Sequence, residues 1–178
     1  MKKLTATACL MAALSAVATP AEAADRGAAG QTVTGPDGPA LFEKLKSLVG
    51  EWRGSWSPGG SETLVTYSLT GNGSVLVEDY VLGAPKGSRS MSTLYHLDGD
   101  QLMLTHYCSI GNQPRMRATA LSADGREVVF DHFDITNLGK TGYSERLTLT
   151  LTDEDHIALS YRGSRTGGSS GVELERVK

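Results

Sequence analysis

The chain has 178 residues, 39% of them apolar, with 17 basic and 20 acidic side chains and a formal net charge of −3. Without its first 23 residues, which hold Lys2, Lys3 and Glu22, the balance is 15 basic against 19 acidic, and so acidic a domain argues against a nucleic-acid partner, which would need a basic face. The remainder is long enough for one domain that buries roughly two thirds of its surface.

Residues 1–23 have the pattern of an export signal. Lys2 and Lys3 supply positive charge, Leu4 to Val17 an apolar run, and Ala21-Glu22-Ala23 a small-x-small cleavage site, which predicts a mature start near Ala24 and a secreted or periplasmic product. That run is too short to span a bilayer and nothing later reaches the roughly 18 to 20 apolar residues required, so no membrane span is expected. Only Cys108 remains after cleavage, Cys9 lying inside the apolar run. With no disulfide available, stability must come from a packed core.

Residues 24–40 are rich in Gly, Pro and small side chains without an apolar period, the composition of a flexible leader. From Leu41 the period is helical: Leu41, Phe42, Leu45, Leu48 and Val49 mark one face, Glu43, Lys44, Lys46 and Ser47 the other, and Gly50 suits the stop. Beyond Gly50 the period is two. Ten strands are expected over 51–57, 62–70, 74–82, 89–97, 101–109, 115–122, 126–133, 143–152, 156–162 and 172–177. Asn72-Gly73, Asp98-Gly99 and Asp124-Gly125 are hairpin-turn dipeptides, and Gly163 to Gly171 reads as a long loop. A meander of this length must close on itself or split to hide its edges. The expectation is an all-β, antiparallel up-and-down barrel with a short N-terminal helix at one end, over residues 41–178; a sandwich is the alternative.

Turn chemistry also implies register. An Asn72-Gly73 turn pairs Leu69 with Leu76, Tyr67 with Glu78 and Val65 with Tyr80, which puts a carboxylate and two tyrosines among core residues. A carboxylate there needs a partner, and Arg115 or Arg117 is the expected one. An Asp124-Gly125 turn pairs Thr119 with Phe130, Arg117 with His132 and Arg115 with Asp134. If the loop after Cys108 is symmetric about Gly111 to Pro114, Cys108 faces Arg115 and His106 faces Arg117. One face then runs from apolar (Leu102, Leu104, Leu121, Val128, Phe130) to polar (His106, Cys108, Arg115, Arg117, His132, Asp134), the gradient of a barrel interior with a packed floor and a ligand-contacting mouth. The opposite face, with Met103, Thr105, Tyr107, Met116 and Ala118, is mixed, so the reverse assignment of inside and outside stays open.

At Leu45-Lys46-Ser47-Leu48-Val49-Gly50-Glu51-Trp52 the chain resembles the opening of lipocalin-like (calycin) barrels, in which a short helix leads into a Gly-x-Trp on the first strand. The resemblance implies a helix plugging one end and a Trp packed at the base under an Arg of the last strand, for which Arg176 is the matching position. Gly54-Ser55-Trp56 repeats the spacing, and both Trp52 and Trp56 are expected at the base. Ten strands are closer to the fatty-acid-binding-protein and nitrobindin branch, although the first-strand motifs of haem-binding nitrobindins are absent. The helix, the Gly50 to Gly54 stretch and the Thr105 to Met116 stretch also resemble uncharacterised bacterial secreted proteins of this fold, which carry over no activity.

The chemistry-bearing residues allow several functions. His106 and Cys108 share a strand face; His132 and Asp134 would extend them to a two-His, one-carboxylate set. Arg115 and Arg117 would form a fork for a carboxylate or phosphate head group, the carboxylate being the use that the fatty-acid-binding resemblance favours, or would pair structurally with Glu78 or Asp134. The expected function is a binding barrel for a small, partly apolar ligand, contacted by His106, Cys108, Arg115, Arg117, His132, Tyr67, Glu78 and Tyr80. The alternatives are an enzyme with His106 or His132 as acid or base, a haem carrier, and a structural domain with a filled core. No phosphate loop, nucleophile elbow, paired CxxC or HExxH is present.

Overall fold

The structure, a computed structural model, describes residues 35–83, 89–139, 142–165 and 167–178. The expected export signal and residues 24–34 of the leader lie outside the described residues.

The helix α1 (Gly38–Leu45) begins three residues before the apolar period, because Asp37 caps it by accepting from the Ala40 N–H at 3.0 Å and Pro39 suits the first turn. Leu41, Phe42 and Leu45, with Leu48 of the 3₁₀ turn that follows (Lys46–Leu48), are buried. Ten strands then run as β1 (Gly50–Ser57), β2 (Ser61–Thr70), β3 (Val75–Leu82), β4 (Arg89–Asp98), β5 (Gln101–Tyr107), β6 (Gln113–Leu121), β7 (Glu127–Thr136), β8 (Ser144–Leu151), β9 (His156–Gly163) and β10 (Ser169–Arg176). Every neighbour in sequence is an antiparallel neighbour in space, and β1 pairs with β10, so the meander closes into a barrel without free edges. At that seam β1 and β10 come so close that a Cβ on Gly54 would lie 1.9 Å from the Glu173 carbonyl oxygen, which only glycine accommodates.

The helix lies at the end where the β4–β5 and β6–β7 turns emerge. A Cβ on Gly38 would meet the Asp100 carbonyl oxygen at 2.1 Å, and Lys44 donates to the Gly125 carbonyl. Trp52 sits beneath, 1% exposed, its Nε1 donating to the Leu48 carbonyl at 2.8 Å. The Arg176 guanidinium lies 4.2 Å from its ring centre and donates to the carbonyls of Val49 and Ser47 at 3.0 and 2.9 Å. That arrangement satisfies carbonyls that the end of the helical segment leaves without intrahelical donors.

Register follows the turns where the turns are short. In the β2–β3 hairpin Leu69 pairs with Leu76, Tyr67 with Glu78 and Val65 with Tyr80, as the sequence implies. The β5–β6 connection differs. It is a three-residue loop, Ser109-Ile110-Gly111, with the Gly111 N–H on the Cys108 carbonyl, the Cys108 N–H on the Asn112 carbonyl, and Gly111 at φ 88°. Leu104 therefore faces Met116, and Thr105 faces Arg115. An odd slip in register turns every side chain of a strand to the other face. Met116 and Ala118 are buried, whereas Arg115 and Arg117 are exposed on the outside. Two bulges complete the difference: Ala118 faces Phe130 and Ala120 faces Val129, leaving Thr119 unpaired, and Met116 rather than Arg117 faces His132.

Candidate functional site

The end of the barrel away from the helix holds a cavity of about 220 Å³, lined by Trp56, Tyr80, Leu82, Met91, His106, Cys108 and Tyr161, with Arg89, Ser109, Ile110, Ser144 and Ser170 at its edge. Alternation places these side chains: Trp56 is two inward positions beyond Trp52 on β1, and Tyr80 and Leu82 follow Glu78 on β3. In the aromatic wall Trp56 packs edge-on to Tyr80, ring centres 6.0 Å apart at an interplanar angle of 88°, and lies tilted by 32° against Tyr161 at 5.8 Å. Trp56 is therefore not at the base with Trp52. The spacing puts both on one face, and the length of β1 carries them to opposite ends.

Beneath the cavity is a buried polar cluster. Glu78, 1% exposed, accepts through Oε2 from the Tyr95 hydroxyl at 2.7 Å and the Tyr67 hydroxyl at 2.9 Å, and its Oε1 is 3.4 Å from Thr93 Oγ1. Its partners are three hydroxyls and not Arg115 or Arg117, which cannot reach the interior from the outer face. Burial raises the Glu78 pKa, and the bonds from Tyr95, Tyr67 and Thr93 oppose that rise by favouring the charged form. Burial, reinforced by the charge of Glu78, holds Tyr67, Tyr95 and Tyr161 well above the usual phenol range. Tyr80 is raised as well, chiefly by burial; its hydroxyl lies beside Thr63 without a hydrogen bond of proper geometry.

His106 joins the cluster to the cavity. Its Nδ1 is 2.9 Å from Thr93 Oγ1, and burial lowers its pKa to about 4, so the imidazole is neutral at neutral pH. Nε2 is not buried away from solvent and has no partner among the described residues. Among those residues, no hydrogen bond links His106 to Cys108. Cys108 is half-buried, a free thiol on the cavity wall.

The other expected site residues lie elsewhere. Arg115 pairs with Asp134, and the Arg117 guanidinium lies 5.5 Å from the Phe133 ring centre, both on the outside. His132 points inward from β7 but is covered by Tyr143, ring centres 4.5 Å apart, and its Nε2 is buried without a partner among the described residues. His106, His132 and Asp134 do not assemble, and among the described residues no three of His, Cys, Asp and Glu come together as a metal site. Tyr161, Met91, Arg89, Thr93 and Tyr95 were not singled out by the sequence reading. The signal available was alternation: Thr93 and Tyr95 are the inward β4 partners of His106 and Leu104.

Comparison of the chain with protein-family models gives no match, and comparison with curated proteins gives none either.

Proposed function

We propose that the protein is an exported binding barrel that holds a small, partly apolar, uncharged ligand in the cavity at its open end. One observation carries the proposal: a roughly 220 Å³ space walled by Trp56, Tyr80, Met91 and Tyr161, into which a single neutral imidazole brings a nitrogen that has no partner among the described residues. Largely apolar walls with a few convergent polar groups are the usual construction of a small-molecule site. The volume lies below the roughly 300 to 1,000 Å³ of drug-sized pockets, so a molecule smaller than a haem is the better fit. A carboxylate head group loses its rationale with Arg115 and Arg117 outside, since Arg89 is the one cation among the lining residues and ionised Glu78 would repel an anion.

The barrel fits the lipocalin-like group, nearest in layout to the fatty-acid-binding-protein and nitrobindin branch. In support stand ten strands in one closed meander, a helix at one end, and Trp52 beneath Arg176. Export rests on residues 1–23; N-terminal sequencing of the protein recovered from outside the cytoplasm should begin near Ala24, and recovery of uncleaved protein in the cytoplasm would refute it.

The binding test uses 2-naphthol as probe. Calorimetric binding, chemical-shift changes confined to the cavity residues, and slower alkylation of Cys108 by iodoacetamide are expected, all lost in Trp56→Ala and His106→Ala. Binding that survives both substitutions, or shifts elsewhere on the barrel, would overturn the reading.

A further inference from the structure

The polar cluster contains a device that simple ligand packing does not require. Thr93 Oγ1 stands between two groups that each need its one proton or one of its lone pairs: Glu78 Oε1 at 3.4 Å and His106 Nδ1 at 2.9 Å. A hydroxyl carries one donor and can accept as well, so the two contacts are coupled. When Glu78 is ionised, both its oxygens accept, and the Thr93 proton goes to Oε1. Thr93 then accepts from Nδ1–H of His106, and Nε2 offers a bare lone pair to the cavity. When Glu78 is protonated, the proton belongs on Oε1, because Oε2 already receives the two phenols. Oε1–H then donates to Thr93, Thr93 donates to Nδ1, and the imidazole carries its proton at Nε2.

The two states interconvert with atoms in balance. A proton from cavity water lands on Nε2, the Nδ1 proton passes to Thr93, and the Thr93 proton passes to Glu78. One proton is taken up, three O–H or N–H bonds form and two break within the protein. The cavity is then the proton entrance for a carboxylate that is itself closed to solvent.

We propose that Glu78, acting through Thr93, decides which face of His106 the cavity shows, so that the site takes ligands with a hydrogen-bond-donating head group (hydroxyl or amide N–H) when Glu78 is ionised and accepting head groups (carbonyl or ether) when it is protonated. The ligand half of this proposal rests on the cavity being a binding site; the proton half does not. The groups facing Glu78 leave the pair free to act: Tyr67 from β2, Tyr80 from β3, Thr93 and Tyr95 from β4, His106 from β5 through Thr93, and Tyr161 from β9. The neighbouring Asp79 turns outward and accepts from Ser92 at 2.6 Å. Beside His106 stand Tyr161, at 6.2 Å between ring centres, and the cavity-lining Cys108 and Arg89. The tyrosines stay neutral across the working range, and among the described residues no ion pair involves Glu78.

Imidazole ¹⁵N spectra of histidine-labelled protein, assigned with His106→Gln, read the tautomer directly. In the ligand-free protein the His106 tautomer should change with pH in step with the Glu78 carboxyl ¹³C signal. Glu78→Gln, whose amide can donate permanently to Thr93, should be locked in the Nε2–H form. Thr93→Val should uncouple His106 from Glu78, and Thr93→Ser should restore the coupling; these two variants decide the case if Glu78→Gln does not fold. One His106 tautomer throughout the Glu78 titration, or coupling that persists in Thr93→Val, would overturn the proposal. With ionised Glu78, 2-naphthol should bind about tenfold more tightly than 2-methoxynaphthalene, with the preference lost in Glu78→Gln; equal preference in both proteins would overturn the ligand half. If the tautomer follows Glu78 but neither probe binds, the relay stands and the binding reading fails.

Discussion

The two ends of the barrel use the same materials for different purposes. On β1, Trp52 and Trp56 are four residues apart and both face inward, yet Trp52 is 1% exposed with its indole N–H bonded to the Leu48 carbonyl, while Trp56 is half-buried against a space. The difference is what covers each of them. α1 and Arg176 close the first end and supply partners for its polar groups; among the described residues no helix covers the second, and its aromatic rings line a void. A packed end and an unpacked end on one strand teach that patterning decides only which side chains face inward; whether the interior is filled depends on the cap.

Truncating the two indoles is the largest test of that contrast. Trp52→Ala should cost about 3 to 5 kcal/mol in urea denaturation, as a buried Trp leaves a large cavity. Trp56→Ala should cost about 1 to 2 kcal/mol, since its space already exists. Equal costs would mean that the open end is packed as tightly as the base.

Acid should act next most strongly, through the polar cluster between the ends. His106 has a folded pKa of about 4 against 6.5 unfolded, so the unfolded chain binds more protons between these values. Stability present above pH 6.5 is then lost as pH falls towards 4, by about 3 kcal/mol from the linkage relation. Glu78 contributes the opposite slope, because its folded pKa is raised above 4.5: stability held at lower pH is lost as pH rises through the folded value. Stability-against-pH curves of His106→Gln and Glu78→Gln should each lose one of these slopes; a His106→Gln curve parallel to wild type would show that His106 is not held neutral by burial.

Tyr95→Phe removes the shortest bond to Glu78, 2.7 Å. It should cost about 1 to 3 kcal/mol and raise the Glu78 titration midpoint further, since a bond to the charged form is lost. An unchanged ¹³C midpoint would deny the bond. The smallest effects belong to the outer face: Arg115→Ala and Arg117→Ala should each change stability by no more than about 0.5 kcal/mol and leave 2-naphthol binding untouched. Lost binding would place an arginine inside.

Legibility followed the length of the turns. Tyr67, Glu78 and Tyr80 were readable because the β2–β3 register depends on a few residues around Asn72, which takes the left-handed conformation at φ 54°. Arg115 and Arg117 were misplaced because their face depends on a loop whose length is ambiguous in sequence. The clue was Gly111, which suits the last place of a three-residue loop better than the start of a symmetric tip. The bulges between β6 and β7 left no such mark, since neither unpaired residue, Thr119 or Phe133, is a type that signals one.

By itself the sequence determined the ten strands, the helix before them, their meander order and the carboxylate among tyrosines, because these follow from period, turn residues and pairings between neighbours in the chain; that the meander closes rather than splits was decided by the pairing of β1 with β10. The tertiary structure decided where Trp56 ends up, which hydroxyls satisfy Glu78, that His106 meets the cavity while Arg115 and Arg117 do not, and that there is a cavity. Those outcomes depend on odd or even register summed over loops and bulges, and on contacts between strands far apart in sequence, and neither quantity is a property of any local stretch.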